Sequence, residues 1–245
     1  MKYVIGSGWW CSANQGTAGK EFGLPKVGHP CIRGTDFFNV WLYFVKRYTA
    51  PLKIVVVDSA SPISPPGAHT NPDYEYLSLD RNYHAVKKTR YNGWLRGFMM
   101  GAWYSWNCNA DFIYIEQDCL VIGKDWVQAI YKASTGRHLL VGSRFRHPLQ
   151  QSLVFIPHEQ IPRFLYHLAQ INKPLTCEMR FHNVGKMKTG VGYRRLPFGV
   201  GRVRPIDWKA KHLYAQHWTE AELRRLGQRE QVNGMIKELL NGGKK

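Results

Sequence analysis

Two short apolar runs, each followed by an acidic residue, constrain the fold more than any other feature of the sequence. Residues 53–57 read Lys-Ile-Val-Val-Val and precede Asp58, and residues 111–115 read Asp-Phe-Ile-Tyr-Ile and precede Glu116. Runs of this kind are typical of strands that are buried on both faces of a parallel sheet. Between them, residues 91–106 carry a broad apolar stripe at helical spacing. A strand, a helix and a second strand in this order predict an α/β protein.

The remaining patterns extend this alternation along the chain. Strands are predicted at residues 3–8, 53–57, 74–79, 111–116, 119–122, 139–143 and 152–156. Helices are predicted from about residue 35 to Pro51, at 91–106, at about 125–133, around 161–168, and in two C-terminal segments that begin with a capping box at Thr219 and Glu222. Residues 174–211 show no period and are predicted to form long functional loops. These elements predict one α/β/α sandwich with a mostly parallel central sheet and C-terminal helices.

Length and charge indicate a single globular domain with a basic surface. The chain has 245 residues, of which 44% are hydrophobic, and this is enough for one buried core. The formal net charge of +17 favours an anionic or phosphate-bearing ligand, and it would also suit peripheral contact with an anionic membrane surface. Because the basic residues are scattered and not concentrated along one helix or arm, a nucleic-acid partner is not expected.

Cysteine usage indicates a reducing compartment. The five cysteines are widely spaced and form no C-x-x-C pair, so neither a disulfide framework nor a zinc knuckle is predicted. No run approaches the roughly 18 apolar residues that a membrane span requires. A cytoplasmic protein, soluble or peripheral at a membrane, is therefore expected.

The acids that follow the two apolar runs are the first candidates for chemistry. Ligands of open α/β sheets lie outside the carboxyl ends of the strands. Glu116 and Asp118, with Gln117 between them, could present two carboxylates to a hard cation such as Mn²⁺ or Mg²⁺ and so hold it against a diphosphate. The alternative is a solvated turn that happens to carry two acids.

Several of these stretches together resemble one enzyme family. The stretches Asp58-Ser59-Ala60-Ser61-Pro62, Arg81-Asn82-Tyr83-His84 and 110–118, with Arg96 in the helix between them, resemble the nucleotide-sugar half of GT-A glycosyltransferases. The resemblance covers residues 53–122 well and the rest loosely. It implies a Rossmann-like GT-A fold in which residues 1–122 bind the nucleotide-sugar, residues 123–218 form the acceptor side, and residues 219–245 form C-terminal helices.

The resemblance also implies roles for single residues. Asp58 would contact the nucleotide base, and Arg96 or a neighbouring basic residue such as Lys88 would support the diphosphate. Glu116-Gln117-Asp118 would occupy the DxD position that binds the cation. GT-A enzymes often add a late-chain histidine to the metal ligands, and His217 is the preferred candidate, ahead of His212. The implied activity is transfer of a sugar from a nucleoside-diphosphate-sugar to a glycan, lipid-linked or cell-surface polysaccharide acceptor.

Each of these roles has a structural alternative. Asp58 could simply bond the amides of its own loop, and Arg96 could be an exposed surface residue. Histidines among aromatic residues are commonly packing residues.

Two further candidates lie in the region predicted as loops. Arg202 and Arg204 follow Gly199 and Gly201 in a segment that could fold over a diphosphate and exclude water, although a basic surface hairpin would have the same composition. Glu178 is the best candidate for the base that an inverting enzyme needs to deprotonate the acceptor hydroxyl. Its alternative is an ion pair with Arg180 or another nearby base.

Two other functions share parts of this pattern. A nucleotidyltransferase also combines a nucleotide, a cation and paired acids. A nucleic-acid-binding module could use the same basic, Trp-rich surface for phosphate contacts and stacking. Dinucleotide binding is disfavoured, because Gly6-x-Gly8 is followed by Trp9-Trp10-Cys11 where the motif needs a further small residue.

Overall fold

A seven-stranded sheet runs through the centre of the protein in the computed structural model, which describes residues 1–12, 28–83, 92–142, 149–171, 173, 175–187, 190–199 and 201–242. The strands of the described part are β1 Tyr3–Trp9, β2 Lys53–Asp58, β3 Glu75–Ser78, β4 Asp111–Ile115, β5 Cys119–Ile122, β6 Leu139–Gly142, β7 Gln150–Ile156, β8 Tyr193–Arg195 and β9 Leu213–Gln216. The central sheet has the order β3-β2-β1-β4-β7-β6-β8, and β5 pairs with β9 in a separate two-stranded sheet.

The first four strands of that order are parallel. Register is continuous across them, since Val4 of β1 pairs with Lys53 of β2 on one side and with Phe112 of β4 on the other. Strand β7 runs antiparallel to both β4 and β6, whereas β8 is parallel to β6. The predicted mostly parallel sheet is therefore confirmed. The carboxyl ends of β1, β2 and β4 meet at one edge, as parallel pairing requires.

Helices cover both faces of the sheet. Their bounds are α1 Thr35–Tyr48, α2 Asn92–Asn107, α3 Trp126–Ser134, α4 Ile161–Ala169, α5 Cys177–Lys186, α6 Glu220–Glu230 and α7 Asn233–Gly242. Side chains of β4 alternate between the faces: Ile113 and Ile115 join the core formed with α1, α3, α6, α7 and the β5–β9 pair, while Phe112 and Tyr114 join the core formed with α2, α4 and α5. This arrangement is the predicted α/β/α sandwich with C-terminal helices.

Helix α2 lies close to the sheet because two glycines face each other there. A Cβ added to Gly101 would lie 3.1 Å from Phe112 Cζ and 4.0 Å from Gly6 Cα. A Cβ added to Gly6 in β1 would lie 2.5 Å from Phe112 Cε2. The Phe112 ring thus fills the space that the two missing side chains leave, and it sets the distance between helix and sheet.

The prediction of long loops over residues 174–211 was wrong in part. Helix α5 and strand β8 lie within this region. Helix α5 begins after Thr176, whose side chain accepts a hydrogen bond from the Met179 amide. Its inward positions are Cys177, Arg180, Phe181 and Val184. Arg180 interrupts the apolar stripe in the sequence, and this hides the helical period. The side chain is buried because it donates to the carbonyls of Ile171, Lys173 and Leu175, which lie just before the helix.

The cysteines are not paired in the structure. All five cysteines are free thiols in the structure. Within the described ranges, every helix is too short or too polar to cross a bilayer.

The predicted capping box of α6 is present, with Thr219 and Glu222 each bonding the other's backbone amide.

Candidate active site

The turn that follows β4 directs two carboxylates into the protein. The Glu116 amide donates to the Ser152 carbonyl of β7 at 2.9 Å, so the turn continues the sheet pairing by one residue. Gln117 turns the other way and bonds the backbone of Trp10 twice: its Oε1 accepts from the Trp10 amide at 2.7 Å, and its Nε2 donates to the Trp10 carbonyl at 3.1 Å. Glu116 and Asp118 are both buried, with 9% and 6% of their surface exposed.

The two carboxylates are bridged by one amide group. Gln216 Nε2 donates a short hydrogen bond to Glu116 Oε2 and a second one, of 2.8 Å, to Asp118 Oδ1. Gln216 is the last residue of β9 and pairs with Cys119, the residue after Asp118. The β5–β9 pair therefore joins the acids to a residue about one hundred positions further along the chain.

Arg202 and Glu178 extend this network. Arg202 Nε donates to Gln216 Oε1 at 2.9 Å, and Arg202 Nη1 lies 3.2 Å from Glu178 Oε1. Glu178 lies in the first turn of α5 and not in a loop. The ion pair weighed for it exists, but its partner is Arg202 and not Arg180. The structure thus brings together four of the predicted site residues, Glu116, Asp118, Glu178 and Arg202, through a glutamine that the sequence did not single out.

His217 lies beside the acid pair. Its Nε2 is 3.8 Å from Asp118 Oδ2, and its backbone has a left-handed φ of 61°, uncommon for a residue with a side chain. Burial lowers the pKa of His217 to about 4, and the cationic Arg202, Arg33 and Arg204 act in the same direction, whereas Asp118 opposes them. The imidazole is therefore neutral at pH 7. His212, the weaker candidate, instead contacts the Lys124 carbonyl at 2.8 Å.

Burial and the neighbouring acid change the protonation of Glu116. Burial, followed by repulsion from Asp118, raises the pKa of Glu116 to about 8. Arg33 Nη2 lies 3.9 Å from Asp118 Oδ2, so a second guanidinium faces the pair from the segment before α1. Sequence analysis missed both Arg33 and Gln216. No local pattern marks either residue, because each reaches the acids only through tertiary structure.

The residue types fit a divalent cation. Mn²⁺ and Mg²⁺ favour carboxylate oxygens, and a neutral imidazole such as that of His217 suits Mn²⁺ as a further ligand. Glu116 and Asp118 share one amide donor, so each acid keeps a second oxygen that Gln216 does not bond. In the described part of the chain, no three His, Cys, Asp or Glu side chains lie close enough together to hold an ion. The Gln216 amide lies between the acids.

Asp58 ends β2 at the same edge of the sheet. Its carboxylate is buried: Oδ1 accepts from the Ser61 amide at 3.0 Å and from the Ser61 hydroxyl, and Oδ2 accepts from the Tyr76 hydroxyl at 2.8 Å. These are the local loop bonds that were weighed as the alternative to base contact. They hold the loop after β2 in one conformation, and contact with a base stays a prediction.

Two other basic candidates, Arg96 and Arg204, lie in different parts of the described chain. Arg96 is exposed on α2, with its guanidinium 3.7 Å from the Tyr83 ring centroid. Arg204 donates to the carbonyls of Gly201 and Gln216 and forms an ion pair with Glu222 of the capping box. Lys88 lies outside the described residues. Arg204 thus lies next to the backbone of Gln216 and His217.

Comparisons with known proteins identify the fold. No protein-family model matches the sequence, and a search of curated proteins gives no match. Among solved structures, a protein from Desulfovibrio desulfuricans G20 assigned as a nucleotide-diphospho-sugar transferase aligns with a TM-score of 0.56 and 11% identity, covering 99% of this chain and 96% of its own. The galactosyltransferase LgtC, solved with donor and acceptor sugar analogues, aligns with a TM-score of 0.55 and 10% identity over 97% and 96% of the two chains.

These alignments extend over nearly the whole of each chain, so the shared feature is the complete fold and not one motif. The protein has a GT-A-like fold, as the sequence resemblance implied. At 10–11% identity the likeness concerns the fold alone, and activity has to be argued from the site.

Proposed function

We propose that this protein is a glycosyltransferase that uses a nucleoside-diphosphate-sugar donor and a divalent cation. One observation carries the proposal: in a GT-A-like fold, Glu116 and Asp118 follow β4 into a buried site and meet His217 there. Of the two structures named above, the first is assigned as a nucleotide-diphospho-sugar transferase, and LgtC is a galactosyltransferase solved with donor and acceptor sugar analogues. The position of these side chains agrees with the general location of ligand sites in open α/β sheets.

Within this function, Asp118, Glu116 and His217 would hold Mn²⁺ or Mg²⁺. When bound, the cation would offset the negative charge of the diphosphate leaving group. Arg202 and Arg33 lie beside the acids, so they are placed to bind diphosphate oxygens, with Arg204, Arg96 and Lys88 as further candidates. Asp58, at the end of β2, would contact the nucleotide base.

Glu178 has two possible contributions. As a general base it would take the proton of the acceptor hydroxyl, which an inverting reaction requires. Its ion pair with Arg202 supports a positioning role as well, since a fixed guanidinium recognises phosphate with less loss of conformational freedom. Replacement by glutamine separates the two, because glutamine can still accept a hydrogen bond from Arg202 but cannot take a proton.

We also propose that the acceptor is a glycan or a lipid-linked saccharide. The net charge of +17 would favour a lipid carrier that is presented at an anionic membrane surface. Sedimentation with vesicles of neutral phosphatidylcholine, compared with vesicles that contain phosphatidylserine, tests this. Equal binding to both at low and at high salt would contradict the electrostatic contribution.

Product analysis tests the reaction class. The protein is screened by thermal shift against nucleoside diphosphates and nucleotide sugars with Mn²⁺ or Mg²⁺, since any tight ligand raises stability by mass action. The stabilising nucleotide sugars are then incubated with the protein and candidate acceptors. Release of nucleoside diphosphate supports glycosyl transfer, whereas release of pyrophosphate from a nucleoside triphosphate and a sugar phosphate would indicate nucleotidyl transfer.

A further inference from the structure

Gln216 lies buried between the two acids of the candidate active site. Its side chain is 4% exposed, and both ends of its amide are bonded. Nε2 uses its two hydrogens on two different carboxylates, those of Glu116 and Asp118, while Oε1 accepts from Arg202. A guanidinium can only donate hydrogen bonds. The orientation of the amide is therefore determined, with its donor end towards the acids and its acceptor end towards Arg202.

The backbone around this amide is fixed as well. The Gln216 amide N–H donates to the Gly201 carbonyl at 3.1 Å, and its carbonyl accepts from Arg204 at 2.8 Å. Gln216 also pairs with Cys119 across the β5–β9 ladder. The side chain cannot leave the acids by movement of its strand without breaking these bonds, so it can leave only by rotation about its own side-chain bonds.

Buried acidic groups need hydrogen-bond partners, and an uncharged amide that donates to both acids supplies them. The amide uses Glu116 Oε2 and Asp118 Oδ1, one oxygen from each acid. A cation that neutralises both acids needs oxygens of the same two groups. Since the acids are buried, little water is available to take the place of the amide.

We infer that Gln216 is an internal competitor for the cation: its amide holds Glu116 and Asp118 together in the cation-free protein and must turn away when a divalent cation binds. This inference rests on the proposed function, because it requires that the acid pair binds a cation. The competitor lowers the apparent affinity for the cation. In return it holds the two acid groups in fixed positions while no cation is bound.

Gln151 provides the matched control. It is also a buried glutamine at the acid pair, but its Nε2 reaches only Glu116 Oε1, at 3.5 Å, and makes no bridge to Asp118. Methionine is unbranched and similar in length to glutamine, so Gln216→Met and Gln151→Met each remove one amide with a small change in volume. Gln216→Lys instead replaces the amide with a permanent positive charge beside the two acids.

The experiment measures Mn²⁺ binding from the decrease of the free-Mn²⁺ EPR signal, and the melting temperature in EDTA and in Mn²⁺. We expect Gln216→Met to bind Mn²⁺ at least 10-fold more tightly than wild type and to melt at a lower temperature in EDTA. Gln151→Met should stay within about 2-fold of wild type. Gln216→Lys should bind Mn²⁺ at least 100-fold more weakly and show the same melting temperature in EDTA and in Mn²⁺.

The results that would overturn this inference can be told apart from those that would overturn the proposed function. If Gln216→Met binds Mn²⁺ no more tightly than wild type, while wild type does bind, the competitor role is overturned and the proposed function stands. If wild type binds no Mn²⁺, both the cation part of the proposed function and this inference are overturned. Should Gln216→Met fail to fold, Gln216→Lys decides alone, because wild-type Mn²⁺ affinity in that variant contradicts the inference.

Discussion

Gln117 and Trp10 are joined by two hydrogen bonds in which the glutamine side chain pairs with both backbone groups of the tryptophan. Trp10 directly follows β1, and Gln117 lies between the two acids that follow β4. The side chain thus extends the β1–β4 pairing past the end of the strands. The turn that carries Glu116 and Asp118 is fixed to β1 by this pair.

This relationship predicts the effect of Gln117→Met. Loss of two partly buried hydrogen bonds should lower the free energy of unfolding by about 1–3 kcal/mol. Because the turn is loosened, Mn²⁺ affinity should also fall. Urea unfolding and Mn²⁺ titration measure the two effects. Wild-type values for both in Gln117→Met would show that the pairing with Trp10 has no influence on the acids.

Asp118 is expected to be the more important of the two acids. Asp118→Ala should abolish transfer and Mn²⁺-assisted diphosphate binding, and Glu116→Ala should weaken both to a smaller extent, since Asp118 alone lies next to His217 and Arg33. The measurements are turnover and diphosphate affinity with and without Mn²⁺. Glu75→Ala is the control, because it removes an exposed ion pair with Lys53. Full activity in Asp118→Ala would contradict the site assignment.

The pH dependence of stability follows from two shifted groups with opposite signs. Burial raises the pKa of Glu116 from 4.5 to about 8, so between these values the folded protein holds a proton that the unfolded chain has lost, and stability falls as pH rises. Burial lowers the pKa of His217 from 6.5 to about 4, so between these values stability rises with pH. Above pH 6.5 only the Glu116 contribution remains.

We therefore expect Glu116→Gln to gain stability relative to wild type between pH 6.5 and 8, by at most about 1.4 kcal/mol per pH unit. Urea unfolding of both proteins in EDTA over this range provides the difference. The same difference at every pH would mean that Glu116 titrates at its ordinary pKa in the folded protein.

Asp58 combines a structural and a proposed binding role. Asp58→Ala removes the bonds to Ser61 and Tyr76, and the buried groups left without a partner should cost about 2–4 kcal/mol of unfolding free energy. In the proposed enzyme, KM for the donor should rise with kcat less affected, because uniform binding is lost. Steady-state kinetics at a temperature where the variant is folded measure this. A decrease in kcat alone would argue against base contact.

Glu178→Gln distinguishes between the two roles of Glu178. If the carboxylate takes the acceptor proton, kcat should fall at least 100-fold while donor affinity stays within about 2-fold. Turnover and donor affinity are measured at the same pH. Turnover within a few-fold of wild type, with donor hydrolysis unchanged, would leave Glu178 only as the partner of Arg202.

The local pattern of apolar and polar residues was sufficient to predict most of the helices and strands. Strand β5 has the predicted bounds because it is a short continuous apolar run with clear ends, and α2 begins and ends within one residue of its prediction because its apolar stripe has helical period. Helix α5 was missed because its stripe contains Arg180, which is buried through bonds to three carbonyls and looks exposed by residue type.

The site was predictable only where it is local in sequence. Glu116 and Asp118 follow a strand that can be recognised, so the sheet rule locates them. Gln216 belongs to a short strand without a marked pattern, and its contact with Asp118 spans 98 residues. Arg33 likewise depends on how the segment before α1 packs. Such contacts follow from chain topology, and one sequence alone does not show them.

Because β5 and β9 are far apart in the sequence, the ribosome synthesises them at different times. Chains are synthesised at about 5–20 residues per second, so Gln216 follows Asp118 after an interval on the order of 5 to 20 seconds. Throughout that interval the acids lack their bridging amide. The nascent chain therefore passes through a stage in which both acids have been synthesised but the glutamine that joins them has not.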